Sequence, residues 1–459
     1  MTRAHGRIQR EPRHRFRLLV TMLFLPVATG CSAPLAEPEA GGGATRLADS
    51  RIQLGPRPFY LLDRLSQGPL RSKLESCRAG PFRPSHFSIG HRGAPLQFPE
   101  HTRESYVAAA RMGAGTIECD VTFTRDHELV CRHSQCDLHR TTNILETPLA
   151  AKCSQEFSPA EIDDVTSAIV KPAAARCCTS DLTLAEFRRL EGRMDAANPA
   201  ATTVTEYLDA TPRWRTDLYA NGGTLMTHAE SIALLLELGV TMAPELKAPM
   251  VEMPFEGLLP AEPQSRDQPS AAGTSRNGYT RDDYARDLVA AYREAGVPPE
   301  RVRMQSFDRQ DIRRWFQLAP GYAAQAIWLD DRDMDSPTPL QSEFDGLARE
   351  GLRTIAPPIA LLLRLDQNGE LRASEYARRA RAAGLDLITW TAERSGRLRA
   401  GRVEGRTHDF YYEPILTGLQ DDGDIFRILH ALASEVGVRG IFSDWPATTT
   451  YYANCFELD

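Results

Sequence analysis

The stretch from residue 89 to residue 133 decides the fold of this chain. It opens with IGHRGA at 89–94, continues with PEHT at 99–102 and IECDV at 117–121, and closes with LVCRH at 129–133. Short apolar runs alternate with polar turns and one helical segment, which predicts strand, loop, helix, strand and a further short strand. The polar residues stand at the ends of the apolar runs, where a parallel α/β barrel places its reactive groups.

Three carboxylates belong to strand-like runs. Glu118 and Asp120 are two residues apart in one predicted strand and therefore point to the same face. Glu245 ends another apolar run. Carboxylate oxygens suit a hard cation such as Ca²⁺ or Mg²⁺, although each residue alone is better explained by an ordinary ion pair at a strand end. We predict that the three together are ligands of one divalent cation, Ca²⁺ or Mg²⁺.

Two histidines, His91 and His133, stand at the ends of short apolar runs in the same stretch. A lone histidine in a strand is usually a satisfied core residue, but a pair beside three carboxylates is typical of acid–base catalysis near neutral pH. We predict that His91 and His133 are catalytic. Histidines without such a context are interpreted as surface or structural residues: His101, His127, His139, His228, His408 and His430.

Three further residues are candidates for substrate contacts. Arg92 follows His91 and could hold a phosphate oxygen through its planar guanidinium, while Lys247 would supply a point charge. Both could instead form salt bridges to the site carboxylates. Trp390 ends an apolar run and could form an apolar wall for the carbon chain of a ligand, or simply cap the barrel.

Strands continue to alternate with helices after the opening stretch, which predicts an α/β fold with a parallel sheet. About eight such strands favour a (β/α)₈ TIM barrel over 85–459. Residues 134–224 break the rhythm and predict an inserted, cysteine-containing lobe, and 248–279 and 392–423 read as loops. The glycine-rich dinucleotide fingerprint does not follow the first strand.

The composition is that of a soluble globular protein, with 42% hydrophobic and 25% charged residues. The net charge of -7 argues against nucleic acid as a partner, because there is no excess of basic residues to neutralise phosphates.

The first 31 residues predict a secretory signal. Arginines precede a short apolar run at 18–27 that cannot span a bilayer, and Ala28-Thr29-Gly30-Cys31 resembles a bacterial lipoprotein cleavage box. We therefore expect export to the bacterial periplasm or outer membrane, with a lipid anchor at Cys31 and a tether and preamble over 32–84. Plain signal cleavage and a buried N-terminal helix are the alternatives.

Eight cysteines remain besides Cys31, an even number that permits disulfides in an exported protein. Their connectivity stays open. Four of them cluster in the predicted insertion, where a small lobe needs covalent support, and a zinc site is the alternative there. Cys119 points away from its carboxylate neighbours by strand alternation and is predicted to lie in the core.

The opening stretch resembles the glycerophosphodiester phosphodiesterase family, which belongs to the phosphatidylinositol-phospholipase-C-like barrel phosphodiesterases; this chain looks like an exported lipoprotein type. Its His-Arg-Gly-Ala loop, Pro-Glu-x-Thr turn, Glu-x-Asp pair and second His occur in the family's order and spacing. Later segments extend the resemblance over most of residues 86–450: Glu245-Leu246-Lys247, Gln305-Ser306-Phe307, Thr389-Trp390-Thr391 and Asp444-Trp445-Pro446. The family usually has Asn where His101 stands, and the insertion is larger and richer in Cys than the family pattern.

The resemblance implies a (β/α)₈ barrel that cleaves deacylated phospholipids, small glycerophosphodiesters, into an alcohol and sn-glycerol 3-phosphate. It implies His91 and His133 as the acid–base pair. It also implies metal ligands at Glu118, Asp120 and Glu245, and phosphate binders at Arg92 and Lys247. Direct attack by water and initial attack by a glycerol hydroxyl, giving a cyclic phosphate, both remain open.

Two other functions fit the sequence. One is a phospholipase D of the sphingomyelinase type, or a phospholipase C, on the same barrel. The other is a surface lipoprotein that binds without catalysis. The retained Lys247 favours the small diester, and the two histidines argue against a pure binding module.

Overall fold

The computed structural model describes residues 52–216, 222–257, 278–398 and 410–459. The predicted signal and lipid-anchor segment, most of the predicted tether, and the central parts of the predicted loops 248–279 and 392–423 lie outside the described residues. Within the described ranges no helix is both long enough and apolar enough to cross a membrane.

Eight parallel strands close into a barrel. They are β1 Ser85–Gly90, β2 Ala114–Phe123, β3 Thr241–Leu246, β4 Gln305–Ser306, β5 Ile327–Leu329, β6 Thr354–Ala356, β7 Asp386–Ala392 and β8 Gly440–Ser443. Each strand pairs in parallel with the next, and β8 pairs with β1, for example at Ile89 and Phe442. The predicted (β/α)₈ TIM barrel is confirmed.

A helix follows each strand. These helices are α1 Arg103–Arg111, α2 His228–Glu237, α3 Arg281–Glu294, α4 Arg309–Leu318, α5 Gln341–Arg349, α6 Glu375–Ala382, α7 Ile425–Ala431 and α8 Pro446–Cys455. The start of α2 shows how local sequence sets a boundary. Glu230 N–H donates to the Thr227 hydroxyl at 3.0 Å, and Thr227 N–H donates to the Glu230 carboxylate at 2.9 Å. This reciprocal pair satisfies two backbone donors that the first turn leaves free.

The strand β2 is buried along all ten residues, so both of its faces need a partner. Ile117 and Val121 belong to the apolar layer between the barrel and the helices. The alternate residues Glu118 and Asp120 therefore point into the barrel. A separate apolar cluster fills part of the interior, formed by Ile89, Ile327, Leu329, Ala356, Ile388 and Phe442.

The short strand Leu129–Cys131 differs from the simplest interpretation of the sequence, because it is not a barrel strand. It runs antiparallel to the end of β2, with Val121 opposite Cys131. Arg132 N–H then donates to the Asp120 carbonyl at 2.9 Å. This pairing places His133 one residue beyond a backbone contact with the carboxylate-bearing strand. A disulfide joins Cys119 to Cys131, and Cys119 is buried as predicted.

Residues 134–216 and 222–224 build a small lobe with its own apolar cluster, which includes Ile144, Phe187 and Tyr207. Its antiparallel strand pairs are Gln155–Ser158 with Ala174–Arg176, Glu161–Ile162 with Ile169–Lys171, and Glu191–Gly192 with Gly223–Thr224. Its short helices include Leu138–Thr141, Leu184–Phe187 and Val204–Leu208. Disulfides join Cys136 to Cys178 and Cys153 to Cys177. The zinc alternative for these cysteines is therefore wrong.

The predicted preamble forms two helices, Arg57–Arg64 and Pro69–Ser76, which pack on α8. The Tyr451 hydroxyl donates a hydrogen bond to the Leu74 carbonyl at 2.6 Å, and a disulfide joins Cys77 to Cys455. Shorter elements complete the fold: the helices Pro320–Ala323 and Ile359–Leu362, and the hairpin Leu363–Leu365 with Leu371–Ala373. The two ends of the described chain are thus covalently joined.

Candidate active site

Neighbouring strands bring the three predicted carboxylates together. In the register between β2 and β3, Glu245 lies opposite Asp120. One oxygen from each of Glu118, Asp120 and Glu245 lies within 4.8 Å of the other two. Asp120 Oδ1 is buried and has no hydrogen-bond partner among the residues that the structure describes. A buried carboxylate oxygen without a donor is costly, so the arrangement fits a divalent cation that prefers oxygen ligands.

Surrounding donors hold Glu118 in a fixed orientation. The backbone N–H of Arg92 donates to Glu118 Oε2 at 3.0 Å, and the Gln305 side-chain amide donates to Oε1 at 2.8 Å. Arg92 reaches this position with a φ of 56°, in the left-handed region that few side chains adopt. The strain of such a conformation is characteristic of functional sites, and here it aims a backbone donor at a metal-ligand candidate.

His101 orients Asp120. Its Nε2–H donates to Asp120 Oδ2 at 2.9 Å, and its Nδ1 accepts a hydrogen bond from the Tyr106 hydroxyl at 3.0 Å. Interpreting His101 only as a surface or structural residue missed this contact with a site carboxylate. The position within Pro-Glu-His-Thr, which the family resemblance had marked by its usual Asn, was the available signal. An imidazole donates here to the carboxylate, as an amide side chain could.

The electrostatics of the triad favour a cation. Burial raises the pKa of Glu118 well above its ordinary value, and repulsion by Asp120 and Glu245 adds to that rise. Burial also raises the pKa of Glu245, to about 7. For Asp120, burial is opposed by Lys247 and His101, which together hold its pKa well below the ordinary value. Asp120 is therefore the ionised member of the triad, and a bound cation would lower the pKa values of Glu118 and Glu245 and favour their ionised forms.

His91 is held at the end of β1 by a buried carboxylate. Its Nδ1 lies 2.6 Å from Asp444 Oδ1, and its Nε2 lies 3.8 Å from Glu118 Oε2. Because a carboxylate accepts hydrogen bonds, the proton belongs on Nδ1, and Nε2 is left as the basic nitrogen. Burial, followed by the positive charge of Arg92, lowers the pKa of His91 to about 4. His91 is therefore neutral at pH 7.

Asp444 is in turn fixed by two arginines. Arg394 donates to its Oδ2 at 3.1 Å, and Arg215 donates to the same oxygen at 3.3 Å. Burial would raise the pKa of Asp444, but Arg394 and His91 outweigh it and hold the pKa well below the ordinary value. The sequence had marked Asp444 only as part of a closing turn. Its place directly after the last barrel strand, as His91 follows the first, was a usable signal.

His133, the second predicted catalytic histidine, lines the same cavity as His91. A ring nitrogen of His133 and oxygens of Glu100 and Asp137 lie within 4.8 Å of one another. Burial lowers the pKa of His133 well below its ordinary value, and Arg92 and Lys247 lower it further. Glu100 and Asp137 were not among the predicted site residues.

The predicted phosphate binders also reach the cavity but are paired with carboxylates. Arg92 Nη1 donates to Glu100 at 3.0 Å, and Lys247 Nζ lies 2.6 Å from Glu245 Oε1. This is the salt-bridge alternative of the sequence analysis, and it leaves both cations beside the triad. Trp390 donates its indole N–H to the Ala356 carbonyl at 2.7 Å and presents its ring to the cavity.

A single cavity of about 370 Å³ joins these groups. Seven of the eight predicted site residues line it: His91, Arg92, Glu118, His133, Glu245, Lys247 and Trp390. The eighth, Asp120, lies behind them within the carboxylate triad. The parallel barrel strands thus deliver seven of the predicted residues to one mouth of the barrel, and the antiparallel strand Leu129–Cys131 brings His133 to the same place.

A sequence profile of the glycerophosphoryl diester phosphodiesterase family matches residues 91–448. The chain belongs to this family. It is a phosphodiesterase built on the (β/α)₈ barrel, and the matched range begins at His91 and includes every predicted site residue.

The chain is also similar to individual proteins. A protein named "Extracellular protein" from Arthroderma benhamiae is 43% identical over 269 residues, which cover 58% of this chain and 100% of that protein. The glycerophosphodiester phosphodiesterase of Bacillus subtilis is 45% identical over 56 residues, 12% of this chain and 19% of that enzyme. The crystal structure of a glycerophosphoryl diester phosphodiesterase from Silicibacter pomeroyi, described as putative, aligns at 19% identity with a TM-score of 0.49. That alignment covers 84% of this chain and 99% of the other.

Proposed function

We propose that this phosphodiesterase hydrolyses small glycerophosphodiesters to an alcohol and sn-glycerol 3-phosphate, with one bound Ca²⁺ or Mg²⁺. The observation that carries the proposal is the convergence of two imidazoles and three carboxylates on one cavity. The carboxylates come from β2 and β3, and the imidazoles follow β1 and the strand Leu129–Cys131.

Glu118, Asp120 and Glu245 would hold the cation. When bound, a divalent cation neutralises phosphodiester charge and stabilises the extra charge of the transition state. Arg92 and Lys247, which lie beside the triad, would bind phosphate oxygens once the substrate enters. The hydrogen bond from His101 fixes the orientation of Asp120 within the triad, and the hydrogen bond from the Gln305 amide fixes that of Glu118.

His91 fits the role of general base. It is neutral near pH 7, and its Nε2 faces the triad while Asp444 fixes the ring. When His91 takes a proton from the attacking hydroxyl or water, the adjacent Asp444 carboxylate stabilises the imidazolium that forms. Arg394 and Arg215 keep Asp444 ionised, so this stabilisation is available throughout the reaction.

His133 fits the role of general acid for the leaving alcohol. In the free site its pKa is low because Arg92 and Lys247 add to the effect of burial. A bound phosphodiester anion would offset those two cations and raise the pKa of His133. Glu100 and Asp137, close to the ring, would further favour its protonated form. Protonation of His133 would thus follow substrate binding.

The size of the cavity favours a small diester over an intact phospholipid or sphingomyelin. About 370 Å³ lies near the lower end of the range for small-molecule sites, roughly 300–1,000 Å³. That space suits glycerol phosphate with a short headgroup. The phospholipase D and phospholipase C alternatives need room for acyl chains beside the same catalytic groups.

The test is product analysis with purified protein. We expect glycerol 3-phosphate to be released from glycerophosphoglycerol in the presence of Mg²⁺ or Ca²⁺, and activity to disappear in excess EDTA and return with the metal. Sphingomyelin and lysophosphatidylcholine are the comparison substrates. Faster release of choline from sphingomyelin would replace the proposal by the phospholipase D alternative, and activity unaffected by EDTA would remove the cation.

We also propose that the protein acts outside the cytoplasm as a lipid-anchored enzyme. Support comes from the four disulfides among the described residues, since such bonds persist in oxidising compartments. In a bacterial host, Cys31→Ser is expected to move the protein from the membrane fraction to the soluble fraction without loss of specific activity. Equal membrane association of the variant and the parent would contradict the anchor.

A further inference from the structure

Four aromatic side chains stand at the mouth of the catalytic cavity, and we call them the aromatic rim: Phe307, Trp390, Phe410 and Tyr411. Phe307 follows β4, Trp390 belongs to β7, and the other two precede α7. Phe307, Trp390 and Tyr411 line the cavity that holds the catalytic groups. The rim is therefore continuous with the cavity that holds the catalytic groups.

Three of the four ring pairs in contact within the rim meet nearly at right angles, and the fourth is stacked. Phe307 and Trp390 are 5.9 Å apart between centroids and inclined by 89°, and Trp390 and Tyr411 are 6.0 Å apart and inclined by 78°. Phe410 lies against Tyr411 at 5.2 Å and 87°, and stacks beside Trp390 at 6.0 Å. Because the rings are perpendicular to one another, a group bound between them would contact ring faces and not only ring edges.

These rings are exposed although they are large and apolar. Phe307 is 36% and Phe410 is 40% exposed, which places them among the most exposed large hydrophobic residues that the structure describes. The single polar group of Trp390 is already used by the Ala356 carbonyl. The rim therefore offers electron-rich faces and few hydrogen bonds, which suits a ligand group that needs no hydrogen-bond partner.

A quaternary ammonium group meets those conditions. It carries a positive charge that is attracted to aromatic faces, and it has no N–H to satisfy. The Lys247 ammonium already lies 5.7 Å from the Phe307 ring centroid, which shows that a cation is tolerated at this wall. A polyol headgroup would leave its hydroxyls unpaired against the rings, and an anionic one would be repelled by their faces.

We infer that the aromatic rim is a binding subsite for a quaternary ammonium headgroup, and that glycerophosphocholine is the preferred substrate. This inference rests on the proposed glycerophosphodiesterase activity. Phe410 and Tyr411 would determine the specificity, because they form the side of the rim away from Lys247, the predicted phosphate binder, which lies 5.7 Å from the Phe307 ring centroid.

The decisive experiment compares kcat/KM for three substrates. These are glycerophosphocholine, its neutral analogue in which a tert-butyl group replaces the trimethylammonium group, and glycerophosphoglycerol. The first two have nearly the same shape, so their ratio isolates the positive charge. We expect the parent to prefer glycerophosphocholine over the neutral analogue by about ten-fold, and Phe410→Ala and Tyr411→Ala each to bring the ratio close to one.

The matched control is Tyr60→Ala, which removes another exposed aromatic ring, 56% exposed, from the first N-terminal helix. It should retain the parent's ratio. Equal rates of the parent on the charged and neutral analogues would overturn the subsite and leave the phosphodiesterase proposal standing. No hydrolysis of any of the three substrates would instead remove the proposed function. Loss of activity on all three to the same degree in Phe410→Ala and Tyr411→Ala would also refute a headgroup role.

Discussion

Replacing His91 by alanine is expected to lower kcat for glycerophosphodiester hydrolysis about a thousand-fold, because the general base is lost. The size of the effect follows from the position of the ring. His91 Nε2 faces the triad at 3.8 Å from Glu118, and its other nitrogen is bound to Asp444. KM should change little, since the substrate's charge is held by other groups. Steady-state kinetics on glycerophosphocholine measures both constants.

The matched control is His86→Ala. His86 belongs to the same strand, β1, but lies near its start, at the other end of the barrel from the catalytic cavity. It should keep the parent's kcat. If His91→Ala retained more than a tenth of the parent's kcat while folding normally by circular dichroism, His91 would not be the base.

Asp444→Asn separates positioning from proton transfer. The amide keeps the shape of the side chain but can present its N–H₂ to Nδ1 and so favour the wrong tautomer. Because His91 remains as the base and must be deprotonated to act, the acidic limb of the pH profile should change together with kcat. A purely structural role for Asp444 would lower stability and leave the pH profile of the folded fraction unchanged.

The metal-ligand candidates could be predicted from the sequence, whereas the residues that orient them could not, because only the former follow a local rule. Glu118 and Asp120 could be paired from sequence because strand alternation is a local rule, and both do point into the barrel. Glu245 and Lys247 obeyed the same rule on β3. The closed barrel followed from the repeated alternation of strands and helices.

Residues that act on other residues were harder to predict. Asp444 is 353 positions from His91, and Gln305 is 187 positions from Glu118. Their roles depend on which strands become neighbours when the barrel closes, which no local pattern contains. The antiparallel direction of the strand before His133 could not be predicted either, because a run of three apolar residues fits a parallel or an antiparallel strand equally well. Disulfide partners were unpredictable for the same reason, with Cys77 and Cys455 separated by 378 positions.

The second large effect is expected for Asp120→Asn, which should abolish tight binding of the divalent cation and lower kcat/KM about a thousand-fold. The substitution preserves size and can still accept the hydrogen bond from His101. It removes the charge of the one triad member whose pKa is held well below its ordinary value. Glu118 and Glu245 then remain as the acids of the triad, and the pKa values of both are raised. The variant therefore offers less negative charge to a cation.

Metal binding supplies a readout that is independent of activity. A ligand that binds only the folded state raises its stability by about 2.7 kcal/mol at a concentration of 100 Kd. Addition of Mg²⁺ or Ca²⁺ to metal-free parent should therefore raise Tm, and the rise should vanish in Asp120→Asn. The metal-free variant should have a lower Tm than the metal-free parent, because the substitution removes an ionised carboxylate that Lys247 and His101 stabilise in the folded state.

Asp386→Asn is the matched control, because it makes the same aspartate-to-asparagine change away from the catalytic cavity. Asp386 is exposed at the start of β7, where it pairs with Arg439. It should bind metal and hydrolyse substrate as the parent does. If Asp120→Asn kept the metal-dependent rise in Tm, the cation would have to lie elsewhere. The buried oxygen of Asp120 that lacks a donor would then need a different partner, such as an ordered water. If the rise vanished but activity survived, the cation would stabilise the barrel without taking part in the chemistry, and His91 and His133 would have to act with Arg92 and Lys247 alone.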